Sequence, residues 1–247
     1  MHDVQPPLTT PPSAAATEAD VSGFMTELLG RLRSESARNQ LQLVKEIAQT
    51  GTAGLEALMQ FLLEQKSQPG GIPAGTAYQL LYQANTPATQ EFLQTHFPQG
   101  VVALRSERGL DYAPLQKLLA QQDFEAGDRL TLEYLCQLAG SKSPKWFYFT
   151  AVNTFPIADL QTLNALWLVH SEGKFGYSVQ REIWLSLGKD WDKLWPQIRW
   201  KDGNNWTRYP GGFTWDLSAP RGHLPLSNQL RGVRVMDALL NHPAWNG

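Results

Sequence analysis

Apolar residues recur at three- and four-residue spacing along most of the chain, the period of a helix that buries one face. Phe24, Leu28, Leu29 and Leu32 form the first stripe, and Leu41, Val44, Ile47 and Ala48 the second. Leu55, Leu58, Phe61 and Leu62 form the third, separated from the second by Gly51. This run reads as two antiparallel helices joined at a glycine turn, like one hairpin of a helical repeat. A Gly/Pro break at residues 69–75 leads to a helix near 76–84, and Thr86-Pro87 supplies the N-cap and first-turn pair of another. A first unit is therefore expected over residues 20–98, preceded by a Pro-, Ala- and Thr-rich stretch, 1–19, that reads as disordered.

The second unit, residues 101–241, opens on a short extended piece at 101–104 and continues in helices. Two are predicted at 112–120 and 123–138, the latter capped by Asp123 and closed by Gly140. A third follows Asp159, turns Leu160, Leu163, Leu166, Trp167 and His170 inward, and stops at Gly173. Ser178 is read as the cap of a helix bearing Val179, Ile183, Trp184 and Leu187, and 189–197 as a short helix that Pro196 bends or ends. Residues 199–222 hold four glycines and two prolines and read as a long loop, but Trp200, Trp206, Phe213 and Trp215 argue that it is ordered. A last helix is predicted over 226–240. Period-2 runs are few, so the expected fold is all-α: a helical-repeat-like bundle followed by a helical core.

Composition changes this picture at one point. All nine tryptophans, with 17 of the 26 aromatic residues, lie between Trp146 and Trp245. Such a density suits either an unusually aromatic core or a wall for a large, flat, apolar ligand, and the residues leave both open. Charge is skewed as well. Residues 1–98 carry five Lys/Arg against nine Asp/Glu, while residues 199–234 carry six against two, within a chain of net charge −2. The basic excess overlaps the aromatic region, as an anionic aromatic ligand would require.

Other classes of function find little support. No apolar run approaches the ~20 residues that span a bilayer, and the N-terminus has no signal or transit character, so a cytoplasmic protein is expected. Cys136 is the one cysteine, and His2, His96, His170, His223 and His242 are scattered, so no metal site and no catalytic constellation is expected. Phosphate loops and nucleophile elbows are absent. Single-stranded nucleic acid would use stacking rings and arginines, but the positive excess is local and lysines are few, which argues against it. A helical adaptor for other proteins, with no small ligand, is the alternative function.

What remains is a ridge. Asn228, Arg231 and Arg234 follow each other at three-residue spacing, so on a helix they drift along one face, away from Leu230 and Val233. Arg208 and Tyr209 stand in the aromatic loop before it. Guanidinium groups offer a bidentate fork to carboxylates and a plane that stacks on rings.

From residue 104 to 238 the chain resembles the Genomes uncoupled 4 family, tetrapyrrole-binding regulators of magnesium chelatase. The resemblance is carried by GLDYAPLQKLLAQQDFEAGD (109–128), WFYFTAVNTFP (146–156), LNALWLVHSEGKFGYSVQREIW (163–184) and the run from Lys193 to Val235. Residues 20–98 look like the bundle that cyanobacterial members carry before the core. The resemblance implies a hand-shaped core that binds protoporphyrin IX and magnesium-protoporphyrin IX, without a tightly held cofactor. It further implies a non-catalytic activator of magnesium chelatase in chlorophyll biosynthesis, acting with the enzyme's large porphyrin-binding subunit and reaching photosynthetic membranes only peripherally, through partners. The family's polar binding residues correspond to Asn228, Arg231 and Arg234, the flanking loop contributes Arg208 and Tyr209, and Phe149 and Val152 match apolar positions of the palm. Many members carry tryptophan where this chain has Tyr209. Phe175 and Phe213 join the candidate set from their loop setting. An oxygen donor near Asn228 would suit axial ligation of magnesium, a hard cation.

Overall fold

The structure, a computed structural model, describes residues 18–66, 70–143, 145–226 and 233–246. Among the described residues the chain is helical apart from one two-stranded sheet, and it divides into two compact units, 1–101 and 102–247.

The first unit contains α1 (Glu18–Ser34), α2 (Ala37–Ala48), α3 (Thr52–Gln65), α4 (Ile72–Ala84) and α5 (Pro87–His96). α1 begins two residues before the expected boundary, and the rest of the stretch expected to be disordered lies outside the described residues. Alternate helices meet, α1 on α3 and α2 on α4, as in stacked helical hairpins. Their apolar stripes make one core from Phe24 through Leu43, Leu58 and Phe61 to Phe97. Gly54 permits the close approach of α2 and α3, since a Cβ there would lie 1.9 Å from the Ile47 carbonyl oxygen. Thr86 caps α5 as its sequence predicts, in a reciprocal box with Thr89.

The second unit contains α6 (Ala113–Ala120), α7 (Phe124–Leu138), a 3-10 turn (Phe149–Thr154), α8 (Ile157–His170), α9 (Tyr177–Ser186), α10 (Trp191–Gln197), a hairpin of β1 (Lys201–Asp202) and β2 (Asn205–Trp206), α11 (Arg234–Leu240) and a closing 3-10 turn (Pro243–Trp245). Asp123 caps α7 and Gly140, at φ +61°, follows its end. Phe124 stacks on Trp167 of α8 and meets Phe175 edge-on, forming the aromatic centre of the unit.

Several expectations are corrected. α8 starts at Ile157, so Asp159 lies inside it, fully buried. There its carboxylate accepts hydrogen bonds from Ser106 Oγ, the Glu107 amide and Tyr112 Oη. These bonds hold the chain around residues 106–112, and residues 101–104, expected to be extended, form no strand: 101 and 102 are bends and 103 and 104 are irregular. Ser178 is not the cap of α9, which begins at Tyr177 after Gly176. At Gly176 φ is +132° and a Cβ would meet Asn164 Oδ1 at 2.8 Å, so the chain can turn there only without a side chain. The last helix does not start at Leu226, which is non-helical; residues 227–232 lie outside the described residues, and α11 spans Arg234–Leu240.

The tryptophans sort themselves. Trp184, Trp191, Trp195 and Trp200 stack in one column, with successive ring centroids 4.7, 5.1 and 5.6 Å apart. Trp206 leans on Trp195 and carries Lys201 over its outer face. Trp200, one of the rings that argue for an ordered loop, is a buried post whose indole N–H donates to the His223 carbonyl.

Candidate functional site

The second unit exposes large apolar side chains at Tyr148, Phe149, Ile157, Leu185, Trp206, Tyr209 and Val233. Scattered exposure of this kind is ordinary, so a site needs chemistry beside it. Two places supply that.

At the first, the 3-10 turn packs against α11. Val152 is fully buried at this junction, while Phe149, at the turn's start, keeps 37% of its surface. Arg234 opens α11, and its Cζ lies 5.5 Å from the centroid of the Phe149 ring. Arg234 is exposed, so a guanidinium with five N–H donors stands at the surface over an aromatic ring. Phe149, Val152 and Arg234 are thus brought together.

The second place is the turn after the hairpin. The Gly212 amide donates to the Arg208 carbonyl at 2.7 Å, and a Cβ on Gly212 would sit 2.8 Å from that oxygen. The tight turn presents Arg208 and Tyr209 to solvent, and Arg208 engages no other side chain among the described residues. Trp215 meets Tyr209 edge-on at 5.9 Å and donates its indole N–H to the Pro210 carbonyl. Phe213 is buried beneath, against Trp215 and the His223 ring.

His223 locks this turn to the column of indoles. Its Nδ1 lies 2.6 Å from the Ile198 carbonyl and must donate there, so Nε2 is the acceptor for the Thr214 amide at 3.2 Å. Both bonds require the neutral ring, and burial pushes its pKa below the usual histidine range.

The other candidates lie elsewhere or outside description. Phe175 is fully buried between Phe124 and Trp167 and offers no surface. Asn228 and Arg231 lie outside the described residues. No described side-chain contact joins the Phe149 group to the Tyr209 group.

The segment leading toward Asn228 is fastened in an orderly way. The Gly222 amide donates to the Lys174 carbonyl and the Gly176 amide to the Leu224 carbonyl. Gln180 Nε2 donates to the carbonyls of Gly222 and Pro225, and the Leu226 amide donates to Asp128 Oδ1 at 2.6 Å. Sequence reading passed over Asp128, Gln180 and His223. Asp128 had a visible signal: it stands four residues after Phe124 and three before Thr131, a carboxylate on the inward stripe of α7.

No group of three or more potential metal ligands occurs among the described residues, and no described helix is long and apolar enough to cross a membrane.

Comparison with known proteins gives the setting. Residues 105–243 match the GUN4-like family, and residues 17–98 match the ARM-like repeat domain found at the N-terminus of GUN4 proteins. The Ycf53-like protein of Synechocystis sp. is 47% identical over 229 residues, covering 92% of this chain and 98% of its own. The chloroplastic tetrapyrrole-binding protein of Arabidopsis thaliana is 37% identical over 142 residues, 53% of this chain and 54% of that protein. Among solved structures, GUN4 from Chlamydomonas reinhardtii is similar with a TM-score of 0.55 and 40% identity, covering 59% of this chain and 95% of that one.

Proposed function

The chain belongs to the GUN4 family, and from that premise we propose that it binds protoporphyrin IX and magnesium-protoporphyrin IX on its second unit. In this reading the macrocycle lies against Phe149 and the Tyr209 turn, and Arg208, Arg231 and Arg234 engage its propionates. Val152, Phe213 and Phe175 back the surface from within, and Asn228 supplies an oxygen toward a bound magnesium.

One observation carries the reading: Arg234 stands over the exposed ring of Phe149 with Val152 buried beside it. A flat dicarboxylate needs that pairing, an apolar face and a cation at its edge. The name of the Arabidopsis relative supports the ligand class. The protein then stimulates magnesium insertion by the chelatase as a non-catalytic activator, meeting the enzyme's large subunit and associating with membranes through such partners. The ARM-like first unit suits that protein contact, since stacked helical repeats present extended binding surfaces.

Titration of the purified protein with protoporphyrin IX tests the ligand. A Soret shift with tryptophan quenching, lost in a Phe149→Ala/Arg234→Ala double variant, is expected. A chelatase assay with and without the protein tests the second half: an unchanged rate of magnesium insertion would leave a porphyrin-binding protein with no role in the reaction.

A further inference from the structure

α9 has two faces. Tyr177, Gln180, Ile183 and Trp184 are buried within the second unit. Ser178, Arg181, Glu182 and Leu185 follow one another at i, i+3, i+4 and i+7 along the other side. With Gln161 of α8 and Trp245 of the closing 3-10 turn, these four line a cavity of about 460 Å³. None of them belongs to the Phe149 or Tyr209 group. Side chains fasten its walls to backbone. Gln161 Nε2 donates to the Ala244 carbonyl at 3.2 Å and the Trp245 indole N–H to the Leu239 carbonyl at 2.6 Å, so the closing turn is tied to both α8 and α11. Arg181 Nε donates to the Leu240 carbonyl at 3.0 Å, at the C-terminal end of α11, where a cation is favoured.

We propose that this cavity is a ligand site separate from the tetrapyrrole surface, and that it takes a small carboxylic acid with a flat apolar body. The Leu240 bond uses one guanidinium N–H of Arg181 and fixes the plane that carries the other four. Arg181 is partly buried and pairs with no carboxylate among the described residues. Glu182, the acid beside it, is engaged by Arg221 instead, so its charge is already balanced. The terminal nitrogens of Arg181 are therefore a prepositioned fork of the kind that a carboxylate fills with two hydrogen bonds. Ser178, one turn earlier on α9, adds a hydroxyl donor. Trp245 and Leu185, the latter 37% exposed, supply the apolar wall for the body of the ligand. The volume lies in the lower half of the range for small-molecule sites, which suits one or two rings rather than a macrocycle of four.

The test is calorimetric titration of the full chain with 3-phenylpropionate and with its neutral amide, in wild type, Arg181→Ala, Leu185→Glu and Arg234→Ala. Wild type should bind one equivalent of the acid, and the amide at least about tenfold more weakly, the loss of a charge-assisted pair. Arg181→Ala should bind the acid about tenfold more weakly as well. Leu185→Glu alters an exposed position and leaves the Leu240 bond in place, so it decides the matter even if Arg181→Ala fails to fold. Its added negative charge should repel the acid and spare the amide. Arg234→Ala should bind the acid as wild type does, because that guanidinium belongs to the Phe149 group. Equal affinity for acid and amide would overturn the site, and so would undiminished binding of the acid by Leu185→Glu. Loss of the acid in Arg234→Ala would place it on the Phe149 surface and overturn the site too. So would an acid that fails to bind wild type at about 10 mM, the range expected for so small a molecule. Protoporphyrin IX takes no part in these readouts, so the tetrapyrrole reading stands or falls separately.

Discussion

The guanidinium of Arg234 lies 5.5 Å from the centre of the Phe149 ring, although 85 positions separate the two in sequence. α11 and the 3-10 turn are packed together to achieve it, with Val152 buried at the junction. An exposed cation–π pair contributes only about 0.5–1 kcal/mol. Its larger consequence is a cation held in place above an apolar face before any ligand arrives, which lowers the ordering cost of binding.

Arg231→Ala and Arg234→Ala should each weaken protoporphyrin IX binding by about 1.5–3 kcal/mol, the worth of a charge-assisted hydrogen bond. Helicity by circular dichroism should not change. Undiminished affinity in the double variant would remove propionate recognition from these residues. Asn228→Ala separates a further point: it should weaken the magnesium porphyrin more than the metal-free one, and an equal loss for both would exclude axial selectivity by this side chain.

Tyr209→Trp should tighten porphyrin binding by a few fold. Tyr209 is half exposed and held edge-on by Trp215, so a wider ring adds stacking area on a support that already exists. Fluorescence titration of the variant reads the change directly, and weaker binding would count against a stacking role for this position.

Gly212→Ala should lower porphyrin affinity while moving the melting temperature little. Its Cβ would press on the Arg208 carbonyl, so the turn that presents Arg208 and Tyr209 must open. The hydrogen bonds of His223 and Trp200 anchor the chain on either side and keep the disturbance local. A variant that bound normally would place the ligand away from this turn.

Two buried groups should impose opposite pH dependences on stability. His223 has its pKa lowered by burial, so its contribution is complete above the ordinary histidine pKa of about 6.5 and is lost as pH falls below it. Asp128 is raised to about 7, so the folded state binds a proton that the unfolded chain releases near 4, and stability falls as pH rises between those values. His170 and His242, whose pKa values burial also lowers, act in the same sense as His223. The wild-type urea midpoint should therefore fall on acidification below about pH 6.5, with Asp128 offsetting part of the loss. Asp128→Asn should lose stability more steeply on acidification over that range. Parallel curves for the two proteins would contradict the shifted carboxyl.

Asp159→Ala should destabilise the second unit by at least about 3 kcal/mol, because it strands three buried or half-buried donors at once. These are Ser106 Oγ, the Glu107 amide and Tyr112 Oη. Tyr112→Phe removes one donor and should cost about 1 kcal/mol. Urea unfolding followed by far-ultraviolet dichroism checks both values, and a small loss in Asp159→Ala would mean that water replaces the carboxylate.

The helices of both units were legible in the sequence because a period of three to four is a local signal. It needs only the chain itself and a face to bury, and it located α1 to α3 and α7 well. Short-range chemistry was equally readable: Thr86 and Asp123 are caps, and Gly140 closes α7, because each acts on backbone within a few residues. The errors at Asp159 and Ser178 have one cause. Each has the residue type of a cap, but Asp159 is drawn inside by donors 47–53 positions away, and Gly176 starts α9 through a close contact with Asn164. For Asp128, sequence showed a carboxylate on an apolar stripe, yet only the fold supplied the Leu226 amide that it holds. Aromatic residues were ambiguous for a deeper reason. A ring buried in a core and a ring lining a wall obey the same periodicity and the same composition, since both are apolar on one side. Sequence alone determined that the second unit is helical and rich in rings and arginines. Tertiary packing decided that Phe175 and Trp200 are core, that Tyr209 is presented, and that Arg234 stands over Phe149, because those outcomes depend on which distant neighbour fills each side.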